Sequence, residues 1–216
     1  MDYNKIGIEA MQKGDYEAAA NAFTQAIEED HTNAIPYINF ANLLASVNEL
    51  DRAQIFYEKA ISLDEGAASA YYGAGNLFVM KESYSEAKDM FEKALRLGME
   101  NGDLYYMLGT SLIQLEQPRL AMPYLQRASE LLEDDPEVLF QYGLCLANEQ
   151  LLNEAVSQFT KVIELDPSHS DAYYNLGVAY AYQENKEKAL EMLNQAIEVN
   201  PEHMLALHAK SLIEQQ

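Results

Sequence analysis

The 216-residue chain is short of the residues that punctuate folds: it has ten glycines and six prolines. A sheet-rich chain needs many more turn residues than this, so the bulk of the chain is expected to be helical. There is one cysteine, Cys145, and no tryptophan. An internal disulfide is therefore impossible, which accords with a reducing, cytoplasmic location. Positive charge is scarce as well, with 14 Lys and Arg against 35 Asp and Glu and a formal net charge of -21. Nucleic-acid affinity rests on cationic contacts to phosphate, so this balance argues against DNA or RNA as a partner. It also opposes docking on an anionic membrane, and no apolar run approaches the roughly 20 residues needed to cross a bilayer. The opening MDYNKIGIEAMQKGD has neither a basic start nor a continuous apolar segment, so no signal peptide is expected.

What the chain does have is apolar content, 49 % of residues, with fifteen tyrosines and seven phenylalanines. These residues recur with a period of 34 and no insertion, seen most clearly in SDAYYNLGVAYAYQENKEKALEMLNQAIEVNPEH, residues 170–203. With Ser170 as position 1, position 20 reads Ala19, Ala53, Ala87, Ala121, Ala155 and Ala189, six alanines out of six in a chain with 28 alanines in all. Position 8 reads Gly7, Ala41, Gly75, Gly109, Gly143 and Gly177, and position 27 is alanine except at Val162. Small residues at these spacings allow two helices to approach closely. Large ones at position 4 (Tyr3, Tyr37, Tyr71, Tyr105, Leu139, Tyr173) and position 24 (Phe23, Tyr57, Phe91, Leu125, Phe159, Leu193) fill the remaining space.

This pattern resembles the tetratricopeptide repeat, whose signature is an aromatic, a Leu-Gly pair, a Tyr, an Ala, a Phe, an Ala and a Pro. The resemblance covers residues 1–203, and stretches such as IPYINFANLL, EAKDMFEKALR and GMENGDLYYMLGT are similar to the family in wording as well as period. It implies an all-α, right-handed superhelix of six helix-turn-helix repeats, 1–33, 34–67, 68–101, 102–135, 136–169 and 170–203, in one solenoid domain. Each repeat is expected to hold a helix A over about positions 2 to 14 and a helix B over about 17 to 30. Only Pro167 and Pro201 keep the closing proline; His31, Glu65, Met99 and Glu133 stand there in the other repeats, where helix ends should be less sharply defined. Pro118 suits a first helical position, but Pro123 falls inside a helix B, so a kink or a late helix start is expected between them. The last segment, 204–216, is amphipathic, with Met204, Leu207 and Leu212 apolar and Lys210, Glu214 and Gln215 polar. It reads as a capping helix that turns a polar face to solvent.

In the family, positions 2, 5, 6, 9, 12 and 13 of the A helices line a concave peptide-binding groove. Mapped here, position 5 gives Tyr72, Tyr106, Phe140 and Tyr174, either a platform for apolar ligand side chains or ordinary packing between helices. Asn39, Asn42, Asn76 and Asn175 at positions 6 and 9 could hold a peptide backbone, since an amide both donates and accepts; the alternative is a solvated or intrahelical amide. At position 2, Asp103, Glu137 and Asp171 favour basic ligand segments, or merely complement the dipoles of helix N-termini. The two-carboxylate clamp for chaperone tails is not matched in any three successive repeats, because groove-facing basic residues are almost absent beyond Lys5.

Catalysis finds little footing. His31, His169 and His203 fall between repeats, and His203 and His208 are five apart, not the four that aligns two metal ligands on a helix. Cys145 sits between leucines with no basic neighbour in sequence to stabilise a thiolate. No enzyme activity, cofactor or metal is expected. The sequence points to a cytoplasmic adaptor that binds a protein or peptide, neutral or basic, with self-association into larger assemblies as the alternative.

Overall fold

The computed structural model describes residues 1–215, and among these the chain is all-α. Its contacts divide it into two compact units, Met1–Glu100 and Asn101–Gln216. The first holds three hairpins: α1 (Tyr3–Gln12) with α2 (Tyr16–Glu29), α3 (Ala34–Ser46) with α4 (Leu50–Leu63), and α5 (Ala68–Met80) with α6 (Tyr84–Arg96). The second holds α7 (Gly102–Gln114) with α8 (Pro118–Leu131), α9 (Pro136–Asn148) with α10 (Leu152–Leu165), α11 (Ser170–Tyr182) with α12 (Lys186–Val199), and then α13 (Met204–Glu214). Odd-numbered helices are the A helices and even-numbered ones the B helices. Within each unit the helices α1 to α12 each pack most heavily on their hairpin partner, and α13 packs on α12. Successive A helices also touch, α1 with α3 and α3 with α5 in the first unit, α9 with α11 and α11 with α13 in the second.

Five of the six hairpins close on the same contact. A Cβ added to Gly7, Gly75 or Gly143 would lie 2.4 to 2.7 Å from the ring of Phe23, Phe91 or Phe159, and one added to Gly109 or Gly177 would lie 2.7 Å from Leu125 or Leu193. Glycine is needed here because the B-helix side chain occupies the place of a side chain on helix A. The position-20 alanines are fully buried in all six hairpins, so the B helix meets its neighbours along a flat stripe.

The connections follow the same period. The A-to-B turn puts its residue 15 in the left-handed region every time: Gly14 at φ 76°, then Asn48, Glu82, Glu116, Gln150 and Glu184 between 57° and 63°. Four of these are Glu or Gln, which gain nothing locally from that conformation. B helices end at position 30 whether or not a proline follows, α6 alone stopping one residue sooner. The less defined ends expected without proline are therefore not found. The residue after the helix does the work instead: Asp30, Asp64, Asp166 and Asn200 adopt extended backbone and fold their side chains onto the N–H two residues on, at Thr32, Gly66, Ser168 and Glu202. Next comes the N-cap of the following A helix, where Asn33, Asn101, Asp135, His169 and His203 each accept a backbone N–H.

The late start expected of α8 is not seen either. The helix begins at Pro118 and runs through Pro123, which lies on the exposed side, so the carbonyl of Arg119 left without its usual partner is turned toward water. At the C-terminal end α13 covers Leu193 and Ala196 of α12, as a cap should, but it does so with Ala206, Ala209 and Ile213. The residues read as its apolar side, Met204, Leu207 and Leu212, face outward.

Two outcomes follow from this architecture. Glu116→Gly and Glu82→Gly relieve a strained φ at the cost of a freer unfolded chain and should each stabilise by about 0.5 kcal/mol, whereas Gly14→Ala should destabilise by about 1 kcal/mol. Urea denaturation of the single variants reads both signs. Deleting residues 204–216 uncovers Leu193 and Ala196, so the truncated chain should melt lower or aggregate; a monomer with an unchanged melting curve would contradict the capping role of α13.

Candidate functional site

The A-helix side of the first unit carries two clefts that flank α3, and Asn39 and Asn42 line both. One, of about 370 Å³, lies between α3 and α5 and is bordered by Tyr57, Tyr72, Asn76 and Met80; the other, of about 390 Å³, lies between α1 and α3 beside Ile8 and Met11. The first exists because of a substitution in the repeat. Position 8 is Ala41 here and not glycine, while α5 carries Gly73, and the Tyr57 ring lies within 2.5 Å of where a Gly73 Cβ would be. Its hydroxyl then donates to the Asn42 side-chain oxygen. Burial pushes the Tyr57 phenol far above its ordinary pKa, so it remains a donor at any physiological pH.

That bond fixes what Asn42 offers. With its oxygen engaged by Tyr57, its NH2 group is left to donate. Asn39 has the opposite polarity: its Nδ2 donates to Asn4 at 2.9 Å, leaving its oxygen to accept. The Asn76 oxygen is buried in the same wall and accepts no hydrogen bond from any described residue. Asn39 and Asn42 thus offer capacity of both signs to one cleft, which suits the alternating N–H and C=O of an extended peptide.

In the second unit the expected residues separate into distinct environments. Phe140 is 9 % exposed, its ring covered by Phe159 at 5.7 Å and His169 at 4.5 Å, so it is chiefly a packing residue. Tyr106 and Tyr174 are half-buried. Tyr174 packs on His203 at 5.2 Å, as Tyr72 in the first unit packs on Phe91 at 5.9 Å. The Tyr106 hydroxyl makes a long 3.5 Å hydrogen bond to Glu137, which also accepts from Gln141 at 2.9 Å. Asn175 spends its NH2 on the Asp171 carbonyl at 2.8 Å, an intrahelical bond that leaves its oxygen free. It borders a cleft of about 600 Å³ with Asn148, Val178 and Tyr182. Asp103, Glu137 and Asp171 all occupy first turns and are all exposed. Asp171 is the most engaged, accepting from the buried His203 Nε2 at 3.0 Å.

Met80, Asn148 and Tyr182 are cleft residues that the mapping above passed over, although all three stand at position 13, one of the groove positions. The groups suited to other chemistry are occupied elsewhere. His169 and His203 cap α11 and α13 through Nδ1, and the buried Cys145 thiol donates to the Pro118 carbonyl at 3.3 Å, with burial raising its pKa above the ordinary thiol value.

Family models described as tetratricopeptide repeat match residues 10–74, 68–97, 102–135 and 170–203, and one described as TPR repeat matches 147–184. The chain belongs to the tetratricopeptide repeat family. A curated relative, the TPR repeat-containing protein YrrB of Bacillus subtilis (strain 168), is 76 % identical over 41 residues, a segment amounting to 19 % of this chain and 20 % of that relative. A crystal structure described as YrrB, a TPR protein with an unusual peptide-binding site, superposes with a TM-score of 0.86 at 70 % identity and covers 89 % of this chain and 100 % of its own. The PilF structure of Pseudomonas aeruginosa shares the fold at 19 % identity, with a TM-score of 0.80 over 97 % of this chain and 96 % of its own. No helix among the described residues of this TPR chain is long and apolar enough to cross a membrane.

One pH effect is specific to this surface. Burial first, then the negative charges of Glu137 and Asp135, push the Tyr106 phenol up to about 12 from an ordinary 10.0. An unfolded chain would lose that proton near 10.0, so the contribution of Tyr106 is complete below pH 10.0 and is lost as pH rises to about 12. Melting curves across this interval should fall less steeply with pH for Tyr106→Phe than for the parent; identical slopes would show that the phenol is not held in this environment.

Proposed function

We propose that the chain is a non-catalytic adaptor of the cytoplasm that binds an extended, neutral or basic peptide segment on its A-helix faces. The observation that carries this reading is the pair of amides beside the α3–α5 cleft, with the Asn39 oxygen left to accept and the Asn42 NH2 left to donate. Amides of both polarities hold a peptide main chain without demanding a particular sequence. In this reading Tyr72, with Tyr106 and Tyr174 of the second unit, supplies apolar contact area, Asn175 adds an acceptor, and Asp103, Glu137 and Asp171 select against acidic segments, while Phe140 serves the packing beneath. The peptide-binding site described for the YrrB structure supports the same assignment. Cytoplasmic residence is supported by the single buried thiol, and the adaptor role by the use of His169, His203 and Cys145 in capping and packing. Self-association through these faces is disfavoured by a charge of -21 on each copy.

Selection of random peptides against the purified chain should enrich neutral and basic sequences. Asn39→Ala should weaken the selected peptides by about tenfold, the value of one or two hydrogen bonds, and Tyr106→Ala with Tyr174→Ala by at least as much, with helix content unchanged. Asp103→Asn with Asp171→Asn should mainly flatten the salt dependence, which calorimetry at two ionic strengths separates from the aromatic effect. Enrichment of acidic peptides, or equal binding to parent and variants, would sink the reading.

A further inference from the structure

The A-helix face of the first unit lacks charge where the second unit has it. Position 2 reads Ile35 and Ser69 on α3 and α5, against Asp103, Glu137 and Asp171 on α7, α9 and α11. Among the helices of the described residues only α3 and α5 carry no Asp, Glu, Lys or Arg, in a chain that is 23 % charged. Burial does not account for this, because Ile35, Ser46, Ser69 and Met80 are all exposed. Ile35 and Met80 border the α3–α5 cleft, and Ile8, also exposed, borders the α1–α3 cleft; neither cleft is lined by a charged residue. At about 370 and 390 Å³ each exceeds the roughly 150 Å³ cavity that holds a benzene ring, so each has room for one apolar side chain.

The two clefts flank a single helix, α3, so they lie about one spacing between packed helices apart, roughly 8–10 Å. A ligand that fills both must present two side chains that far apart on one face. A β-strand does not, since its same-face neighbours stand about 7 Å apart at i, i+2 and about 13 Å apart at i, i+4. An α-helix matches at i, i+7, about 10.5 Å, but its main-chain groups are bonded within the helix. The Asn39 oxygen and the Asn42 NH2, which border both clefts, would then gain no main-chain partner. Polyproline II meets both conditions. Three residues per turn place i and i+3 on one face about 9 Å apart, and without internal hydrogen bonds its main chain is open to both amides.

We infer, resting on the adaptor reading above, that the first unit binds an uncharged polyproline II segment with apolar side chains at i and i+3. One side chain enters each cleft beside α3, and the main chain between them crosses α3 at Asn39 and Asn42. The half-buried Tyr72 ring at the α3–α5 cleft suits this ligand, because preformed polyproline II segments dock against aromatic side chains at low entropic cost.

Fluorescein-labelled peptides built on Leu-Pro-Ala-Leu, Leu-Pro-Leu and Leu-Pro-Ala-Pro-Leu, with identical Gly-Pro flanks, hold two leucines at i+3, i+2 and i+4. Titrated with the full chain and read by anisotropy, the i+3 peptide should bind about tenfold tighter than the other two. It should also exceed, by about the same factor, its own variants with either leucine replaced by alanine or lysine. Ile8→Glu and Met80→Glu should each weaken the i+3 peptide about tenfold, and each should abolish the effect of removing one leucine, a different one in the two cases. Both positions are exposed, so circular dichroism should show unchanged folding. Equal binding at the three spacings, preference for i+2 or i+4, no saturable binding by any of the three, or leucine effects that persist in both variants would overturn the inference. Randomly selected peptides that still lose affinity on Asn39→Ala would in that event leave the adaptor reading standing, whereas selected peptides indifferent to Asn39→Ala would remove both.

Discussion

The contact on which everything else hangs is the close approach of helices A and B at position 8. A ring or leucine from helix B rests where a Cβ would be in five of the six hairpins, so the two backbones there lie nearer than side chains would permit. This fixes which residues of helix A remain outside. Positions 4 and 8 turn to the partner helix, while residues at positions 2, 6, 9 and 13 such as Asp171, Asn39, Asn42 and Met80 are left for solvent or the clefts. The one departure is instructive. With Ala41 in place of glycine, Tyr57 lies against Gly73 on the next A helix instead, and its hydroxyl meets Asn42. A change in the packing rule thereby polarises the amide that borders the cleft, linking the core of the second hairpin directly to its surface chemistry.

Most of the fold was legible because it rests on residue size at fixed intervals. The alanines of position 20 and the small and large residues of positions 8 and 24 need no partner to be recognised, since the period itself supplies the comparison. Helix ends were harder to read. Proline is a visible stop, but the actual terminator is a side chain, Asp30, Asp64, Asp166 or Asn200, bonding the backbone two residues on. The pattern lies at position 31, one residue before the place of the closing proline, where Asp30, Asp64, Asp166 and Asn200 stand. The left-handed residue of each A-to-B turn was hard to read, because only Gly14 and Asn48 are residues suited to it; at Glu82, Glu116, Gln150 and Glu184 the packing of the two helices imposes the conformation against local preference.

The site was legible as positions and not as states. Repeat arithmetic says that Phe140 and Tyr174 share a place on their helices, yet Phe140 is enclosed by Phe159 and His169 whereas Tyr174 retains an exposed part. Both rings meet a histidine at position 34, His169 or His203, and the difference lies in the second neighbour, which for Phe140 is the ring of Phe159 at position 24. The same holds for the amides. Asn175 turns back to its own helix, Asn39 reaches across to α1 and Asn42 is held by Tyr57, so three residues of one type are engaged in three different ways. For α13 the sequence misled for a related reason. An amphipathic helix has an apolar side, but which side meets the protein depends on register, and here the docking falls to Ala206, Ala209 and Ile213 while bulkier residues stay outside.

Electrostatics requires the same attention to particular atoms. A charge of -21 sets the long-range field, but at a surface of this kind only carboxylates with unspent charge discriminate between ligands. Asp171 looks compromised by His203 at 3.0 Å. The N-cap decides otherwise: the His203 Nδ1 lone pair accepts the Ala206 N–H, so in this tautomer the proton sits on Nε2 and is donated to Asp171. A neutral imidazole orients the carboxylate without cancelling its charge. Asp171 therefore retains its negative charge beside Tyr174, in an orientation set by the cap of α13, and the helix that closes the last hairpin also shapes the acidic end of the A-helix face.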